Sequence, residues 1–377
     1  MEQQRQRQNE KLLQQALLLI NERFPPKWSL TQMEGDAVRN EGANSATSTL
    51  RLSGPNGTTA DYSLLLMTSC EPRQANVIAQ EMNARVAAVG EDPLALLVIA
   101  PWLSQRSQQL LAEAEINFLD LTGNIRLTLS EPVFYFQMSG SPRNPKPVDQ
   151  VISRVRGPKA GRLLRFLAEV EPPYSVTEIA SATALTAGYI SRLLETLDRD
   201  ALIDRGPRGR VVGVALAEML RRWAENYQVF HSNRAVQFLA PNGLDPVVSR
   251  LAESPPAADI AVSGSFAAVR HAPVAAPSLL MIYCRNAEVL ASQLQLLPTD
   301  RGANVVLLEP ADDGVFFGTE KEGGISFVAP AQAVVDCLTG NGRMPAEGEA
   351  LLEWMLDHRA AWQSASVGEH LARTLGS

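Results

Sequence analysis

The chain is poor in the residues from which metal sites and disulfide scaffolds are built. Its three cysteines, Cys70, Cys284 and Cys337, stand far apart and form no C-x-x-C pair, so they read as free thiols of a reducing compartment. Its four histidines, His231, His271, His358 and His370, are scattered and show no H-E-x-x-H spacing, so neither a metal nor another cofactor is expected. No stretch reaches the roughly 18 consecutive apolar residues of a membrane span. The apolar run at 16–20 is too short, and its flanks too rich in Gln, for a secretory signal. The expectation is a cytoplasmic protein that does not meet a membrane. A surplus of positive charge is also missing: 34 Lys and Arg against 41 Asp and Glu leave a formal net charge of −7. Any surface for nucleic acid has to be local.

What the chain does contain is enough apolar material, 45% of 377 residues, for two or three cores at about 100–200 residues per domain. Residues 2–24 set Leu and Ile at helical spacing among Gln, Arg and Glu, and Pro25-Pro26 closes that helix. Two strand-like runs, 48–52 and 60–67, flank a turn at Pro55-Asn56-Gly57. A helix at 71–89 follows, then a buried strand at 94–100, a helix at 104–114, and strands at 118–121, 125–129 and 133–137. Residues 1–140 therefore read as an α/β domain, and 139–148 as a linker rich in Gly, Ser, Pro and Asn. Beyond residue 216, short apolar strands alternate with helix-like stretches in a mixed α/β domain spanning 216–377. The fold class is α/β and α+β, multi-domain.

The middle segment, 150–215, carries the most specific pattern. Residues 159–169 gather Leu163, Leu164, Phe166 and Leu167 on one helical face, and Pro172-Pro173 ends the helix. Ser175-Val176-Thr177-Glu178 is a capping box that opens a short helix. After Thr186 a longer helix, 187–199, turns Ile190, Leu193, Leu194 and Leu197 inward. Residues 202–205 and 210–214 then pair across Gly206-Pro207-Arg208-Gly209. A short helix, a tight turn, a longer helix and a hairpin make a winged helix-turn-helix, whose second helix enters the major groove of double-stranded DNA. Thr186, Gly188, Tyr189, Ser191 and Arg192 would face base edges, with Ser175 and Thr177 at the start of the preceding helix. Arg205, Arg208 and Arg210 would place the wing on phosphates. Arg143, Lys146, Arg154, Arg156, Lys159, Arg162 and Arg165 crowd one short stretch in which Asp149 is the only acid; Lys159 and Arg162 are its candidate DNA contacts. The competing reading is a winged helix that packs against protein instead.

Two flanking features invite an enzymatic reading. In the first domain the hairpin, helix and buried strand are similar to a restriction-endonuclease core, whose chemistry needs an Asp and a Glu-x-Lys to hold Mg²⁺. Asp61 begins the right strand, but the Glu-x-Lys position reads Leu66-Met67-Thr68-Ser69-Cys70. In the last domain, 261–268 resembles the Gly-Ser loop of nucleotidyltransferases, with Gly264 and Ser265 as weak nucleotide-binding candidates. The next strand, 279–284, supplies no carboxylate, and a plain structural turn is the equal alternative. Both flanking domains therefore read as degenerate, with no catalytic residue and no enzyme activity expected. Asp120 reads as the cap of the Gly123-Asn124 turn, and Gln332 and Asp336 as a solvated or interdomain i, i+4 pair.

The string SVTEIASATALTAGYISRLLETLDRDALIDR, 175–205, resembles MarR-like and related bacterial winged helices, although Asp200-Ala201 stands where that pattern often has an acid followed by Gly. With FLDLTGNIRL at 118–127 and VSGSFAAVRHAP, GANVVLLEP and AQAVVDCLTGNGRMPAEGEALLEWM in the last domain, the chain is similar to AbiEi-type antitoxins and related winged-helix regulators. That resemblance implies a cytoplasmic, sequence-specific regulator of transcription, of which an antitoxin-type repressor of its own operon beside a toxin partner is one form; a homodimer would match the two-fold operators that such regulators often read. The alternatives are a nuclease or nucleotidyltransferase that docks through the winged helix, and a non-specific DNA-binding protein of a defence or repair assembly.

Overall fold

The computed structural model describes residues 2–33, 48–89, 95–145, 155–253 and 259–375. They form two compact units, Met1–Val151 with Arg199–Ala201, and Ile152–Asp198 with Leu202–Ser377.

The first unit runs α1 (Glu2–Arg23), β1 (Ser29–Gln32), β2 (Ser48–Ser53), β3 (Thr59–Leu66), α2 (Pro72–Val89), β4 (Ala95–Ala100), α3 (Gln105–Glu113), β5 (Asn117–Asp120), β6 (Ile125–Leu129) and β7 (Phe134–Met138). The seven strands lie side by side in chain order. β3, β4 and β5 are parallel, and hairpins flank them on both sides. The parallel centre follows from the two crossover helices, because two parallel strands cannot be joined by a tight turn. β4 shows how the layers are filled. Leu97 and Ile99 join the core under α1, with Leu12, Leu13, Ala16 and Ile20. Val98 and Ala100 point the other way, into the core with Ala75, Leu110 and Leu111 of α2 and α3. Successive strand side chains alternate faces, so an unbroken apolar run is what a strand covered on both sides requires. The turn after β2 holds Asn56 at φ 61 and Gly57 at φ 77, a left-handed pair that Asn and Gly adopt at least cost.

The second unit opens with α4 (Pro158–Glu169), α5 (Val176–Thr183), α6 (Ala187–Arg199), β8 (Ile203–Arg205) and β9 (Val211–Val214). It continues through α7 (Leu216–Ala224), α8 (Val229–Ser232), β10 (Arg234–Leu239), α9 (Asp245–Glu253), β11 (Ile260–Ser263), α10 (Ser265–Ala268), β12 (Leu280–Cys284), α11 (Ala287–Leu294), β13 (Leu297–Pro298), β14 (Val305–Glu309), β15 (Glu320–Glu322) and β16 (Ile325–Phe327). α12 (Pro330–Leu338), α13 (Met344–Asp357), α14 (Arg359–Trp362) and α15 (Val367–Leu375) complete it. The seven-stranded mixed sheet has the order β13-β10-β14-β12-β11-β16-β15. One hydrophobic core joins Leu163, Phe166, Ile190 and Leu194 to Met281, Leu307, Val334 and Leu351. The segments expected as separate domains, 150–215 and 216–377, thus share a core, and α7 belongs to both.

α12 is the centre of that core: Pro330 through Cys337 are all buried. Gln332 and Asp336, expected as a solvated or interdomain pair, are buried, and Gln332 accepts from Arg165 across the boundary expected between 150–215 and 216–377. Asp336 has no exposed surface. It accepts from Ser263 Oγ at 2.6 Å, Gln332 Nε2 at 2.7 Å, Tyr227 Oη at 2.9 Å and Tyr283 Oη at 3.0 Å. Burial pushes its carboxyl up to about 6, against the pull of those donors. Asp120 in the first unit is equally buried and caps its turn, accepting from the backbone N–H of Thr122 and Asn124, and also from that of Leu103.

Glu169, at the end of α4, is buried, and its Oε1 has no hydrogen-bond partner among the described residues. Burial pushes its carboxyl up to about 8, eased by Arg165 and reinforced by Glu320. The folded chain then takes up this proton near pH 8, whereas the unfolded chain does so near the ordinary value of 4.5. The contribution of Glu169 to stability rises as pH falls through 8 and levels off below about 4.5. Thermal melts from pH 9 to pH 6 should show Glu169→Gln more stable than the parent at the alkaline end, with the difference shrinking as pH falls. An equal offset at every pH would exclude titration of Glu169.

Candidate nucleic-acid interface

α5 is short because both ends are set locally. The Ser175 hydroxyl accepts from the Glu178 N–H at 3.3 Å, and the Glu178 carboxylate accepts from the Ser175 N–H at 2.7 Å. The predicted capping box is present, and the Ser175 hydroxyl and backbone together hold the Glu178 carboxyl below its usual range. At the other end Ala184 takes φ 55 and turns the chain out of the helix. Leu185 is buried as the pin of the turn, and α6 starts two residues later. Ile190, Leu193, Leu194 and Leu197 line one side of α6 and are fully buried, so the opposite side has to face outward. On it Thr186, Gly188 and Arg192 are exposed and Ser191 is half-exposed. Tyr189 is half-buried against the core, which raises its phenol above the usual value. A Cβ added to Gly188 would meet nothing within 4 Å, so no neighbour in the fold demands a glycine there. Ala201, where the related pattern often has Gly, adopts φ 52.

The wing is a two-stranded ribbon of β8 and β9, with a turn in which Gly206 accepts from Gly209 N–H at 3.1 Å. Arg208 occupies the third turn position at φ 60 and ψ 20, where an L side chain costs about 1–2 kcal/mol relative to Gly. Arg208 is thus exposed at the loop tip in a backbone conformation that disfavours its side chain.

The six candidate cations separate into two groups. Lys159, Arg192 and Arg208 are exposed, and their side chains have no partner among the described residues. The other three are engaged. Arg162 is turned inward and forms a bidentate pair with Asp312, at 2.7 and 3.1 Å, while donating to the Thr183 carbonyl at 3.3 Å. Arg205 donates across the wing to the Gly209 carbonyl, and Arg210 ties the wing base to Pro173 and Glu178. Arg162, expected as a phosphate contact, is thus engaged in an ion pair inside the unit, and Arg165 of the basic stretch is buried. Thr177 is exposed beside Ser175, and Arg143 and Arg156 are exposed. Lys146, Asp149 and Arg154 lie outside the described residues. Only the outward face of an element reaches a ligand, and a run of Lys and Arg on a half-buried helix does not distinguish the faces.

The suspected enzymatic positions are taken up inside their own units. Asp61 forms a bidentate pair with Arg51 on the neighbouring strand, both contacts at 2.7 Å. At the Gly-Ser turn, Gly264 has φ +65, and a Cβ there would lie 2.7 Å from Met281 Sδ. The buried Ser265 hydroxyl donates to Glu347, and the Ser263 hydroxyl donates to Asp336. The two carboxylates at these serines are on α12 and α13, and each accepts from a serine hydroxyl. Among the described residues no group of three or more His, Cys, Asp or Glu is placed to hold a metal ion, and no helix is long and apolar enough to cross a membrane.

Residues 159–205 match the family model of the IclR helix-turn-helix domain. The match supports a winged helix-turn-helix that binds double-stranded DNA. No curated protein and no solved structure matches the chain.

Arg162→Ala should act on the fold rather than on DNA. Asp312 would lose its partner in a half-buried site, lowering stability by about 1–3 kcal/mol, with the salt dependence of DNA binding unchanged in a fluorescence-anisotropy titration. Gly188→Leu should keep or slightly raise the melting temperature, because Gly costs a helix up to about 1 kcal/mol. It should weaken DNA binding at least tenfold if α6 enters a groove at this point. Undiminished binding by Gly188→Leu would remove α6 from the interface.

Proposed function

We propose that the protein is a sequence-specific transcriptional regulator and not an enzyme: α6 reads base edges in the major groove, and the β8–β9 wing rests on the adjacent backbone. The observation that carries this reading is the outward face of the helix-turn-helix. α6 buries Ile190, Leu193, Leu194 and Leu197 and turns Gly188, Ser191 and Arg192 outward after the exposed Thr186, while the wing keeps Arg208, partner-free among the described residues, in a strained turn. The match of 159–205 to the IclR helix-turn-helix supports it. The engagement of Asp61 by Arg51 and of Ser265 by Glu347 supports the non-enzymatic part.

Of the six candidate cations only Lys159, Arg192 and Arg208 face outward without a partner among the described residues, and each phosphate neutralised adds only about 0.9 to the salt slope. One copy would hold DNA weakly. A homodimer on two half-sites about one helical turn apart is the assembly that gives useful affinity. Repression of its own promoter is the finer form of this reading, and an antitoxin role beside a toxin partner would be one case of it.

The test is anisotropy binding to DNA from upstream of its own coding sequence, against scrambled DNA of equal length, over a salt series. Preference for the upstream DNA, with a slope that Arg208→Ala reduces by about 1 and a specificity that Arg192→Ala relaxes at one base pair for about 1–3 kcal/mol, is the expected result. Equal affinity for both DNAs would reject sequence-specific autoregulation, and no binding to either would reject the DNA-binding reading as a whole.

A further inference from the structure

A cavity of about 240 Å³ opens in the second unit beside α4, bordered by Trp223 and Tyr227, by Val315 and by Gln332. Its inner wall includes Arg165, which is 6% exposed. Among the described residues the guanidinium donates to a single oxygen, Oε1 of Gln332. Its Nε is buried without an acceptor, and its centre lies 5.6 Å from the centroid of the Trp223 ring. A buried cation is ordinarily paired, yet each acid nearby is committed elsewhere or neutral. Asp312, on the cavity wall, is bound by Arg162. Asp336, beyond Gln332, is saturated by four side chains. Glu169, one helical turn away, is kept protonated at neutral pH by burial.

We propose that this cavity is a binding site for a small organic carboxylate, whose carboxylate accepts from Arg165 and whose apolar body lies against Trp223 and Val315. The donor set favours a planar acceptor, since a guanidinium presents its N–H groups side by side in a fork that a carboxylate matches. Arg156, exposed on the rim, adds a second positive charge at the entrance, and Asp312 on the wall disfavours a dianion such as phosphate. The space suits a ligand on the order of ten non-hydrogen atoms. The site lies on α4, whose Arg162 also holds the end of α5 through Thr183. An occupant would therefore bear on the helix behind the recognition pair. The site itself requires no DNA and stands or falls apart from the DNA-binding reading.

The purified full chain, without DNA, is titrated with benzoate, phenylacetate and hexanoate, and with the amide of each as neutral isostere, by calorimetry and tryptophan fluorescence. At least one acid should bind one per chain with a Kd at or below about 1 mM, an ordinary affinity for ligands of this size, and its amide should bind at least tenfold more weakly. Arg165→Gln should abolish the preference for the acid. Since Arg165 is buried and its loss can cost the fold, the exposed Arg156→Glu serves as a second variant and should weaken acid binding several-fold with the melting temperature unchanged. The proposal is overturned if no acid binds up to about 10 mM, if acid and amide bind alike, or if Arg156→Glu and a folded Arg165→Gln chain both bind the acid as the parent does.

Discussion

A carboxylate with no exposed surface sits at the middle of the second unit, and the helix that carries it has hardly any side facing water. Asp336 is tolerable there only because Ser263 of β11, Tyr283 of β12, Tyr227 after α7 and Gln332 of α12 itself all turn donors toward it. Leaving a buried charge without such donors would cost several kcal/mol. The four donors therefore tie the mixed sheet, α7 and α12 into one arrangement. Since α4 and α7 of the winged helix pack on α12, the recognition pair is built onto the sheet and not hung from it.

That constraint explains the division of labour along α4. Its buried side carries leucines and phenylalanine, but also Arg162 and Arg165, which reach from the winged helix into the rest of the unit. Arginine suits both places because its fork makes bidentate or stacked contacts that lysine does not. The arginine at the wing tip does the reverse. It stays outside, in a turn that glycine would fill more comfortably. Arginines of one small domain thus have opposite physical roles, those of α4 turned into the fold and the one of the wing strained by it.

The first unit shows the same economy with acids. Asp61 faces Arg51 across a strand pair, and Asp120 is capped on all sides by its own turn and by Leu103. Carboxylates that look available along the chain are satisfied once the strands are in register. In antiparallel pairing, residues directly opposite each other are the ones that interact, and Arg51 is the register partner of Asp61.

The sequence by itself determined the local elements. The capping box at Ser175, the unbroken apolar run of β4, the Asn56-Gly57 turn and the wing turn at Pro207-Arg208-Gly209 all appear where they were predicted. Each depends on residues within a few positions of one another and on backbone preferences that neighbours do not override. The apolar face of α6 was legible for the same reason, as was the helix-turn-helix that the IclR match supports. Only the tertiary structure decided which charges are used up. Arg162 meets Asp312 at a separation of 150 residues, Arg165 meets Gln332 at 167, and Ser265 meets Glu347 at 82. Composition and spacing carry no information about such partners, because the pairing is set by how the sheet and α12 close on the winged helix. The merging of the middle and last segments into one core was hidden for the same reason: an apolar helix such as α12 shows that it will be buried, but not by what.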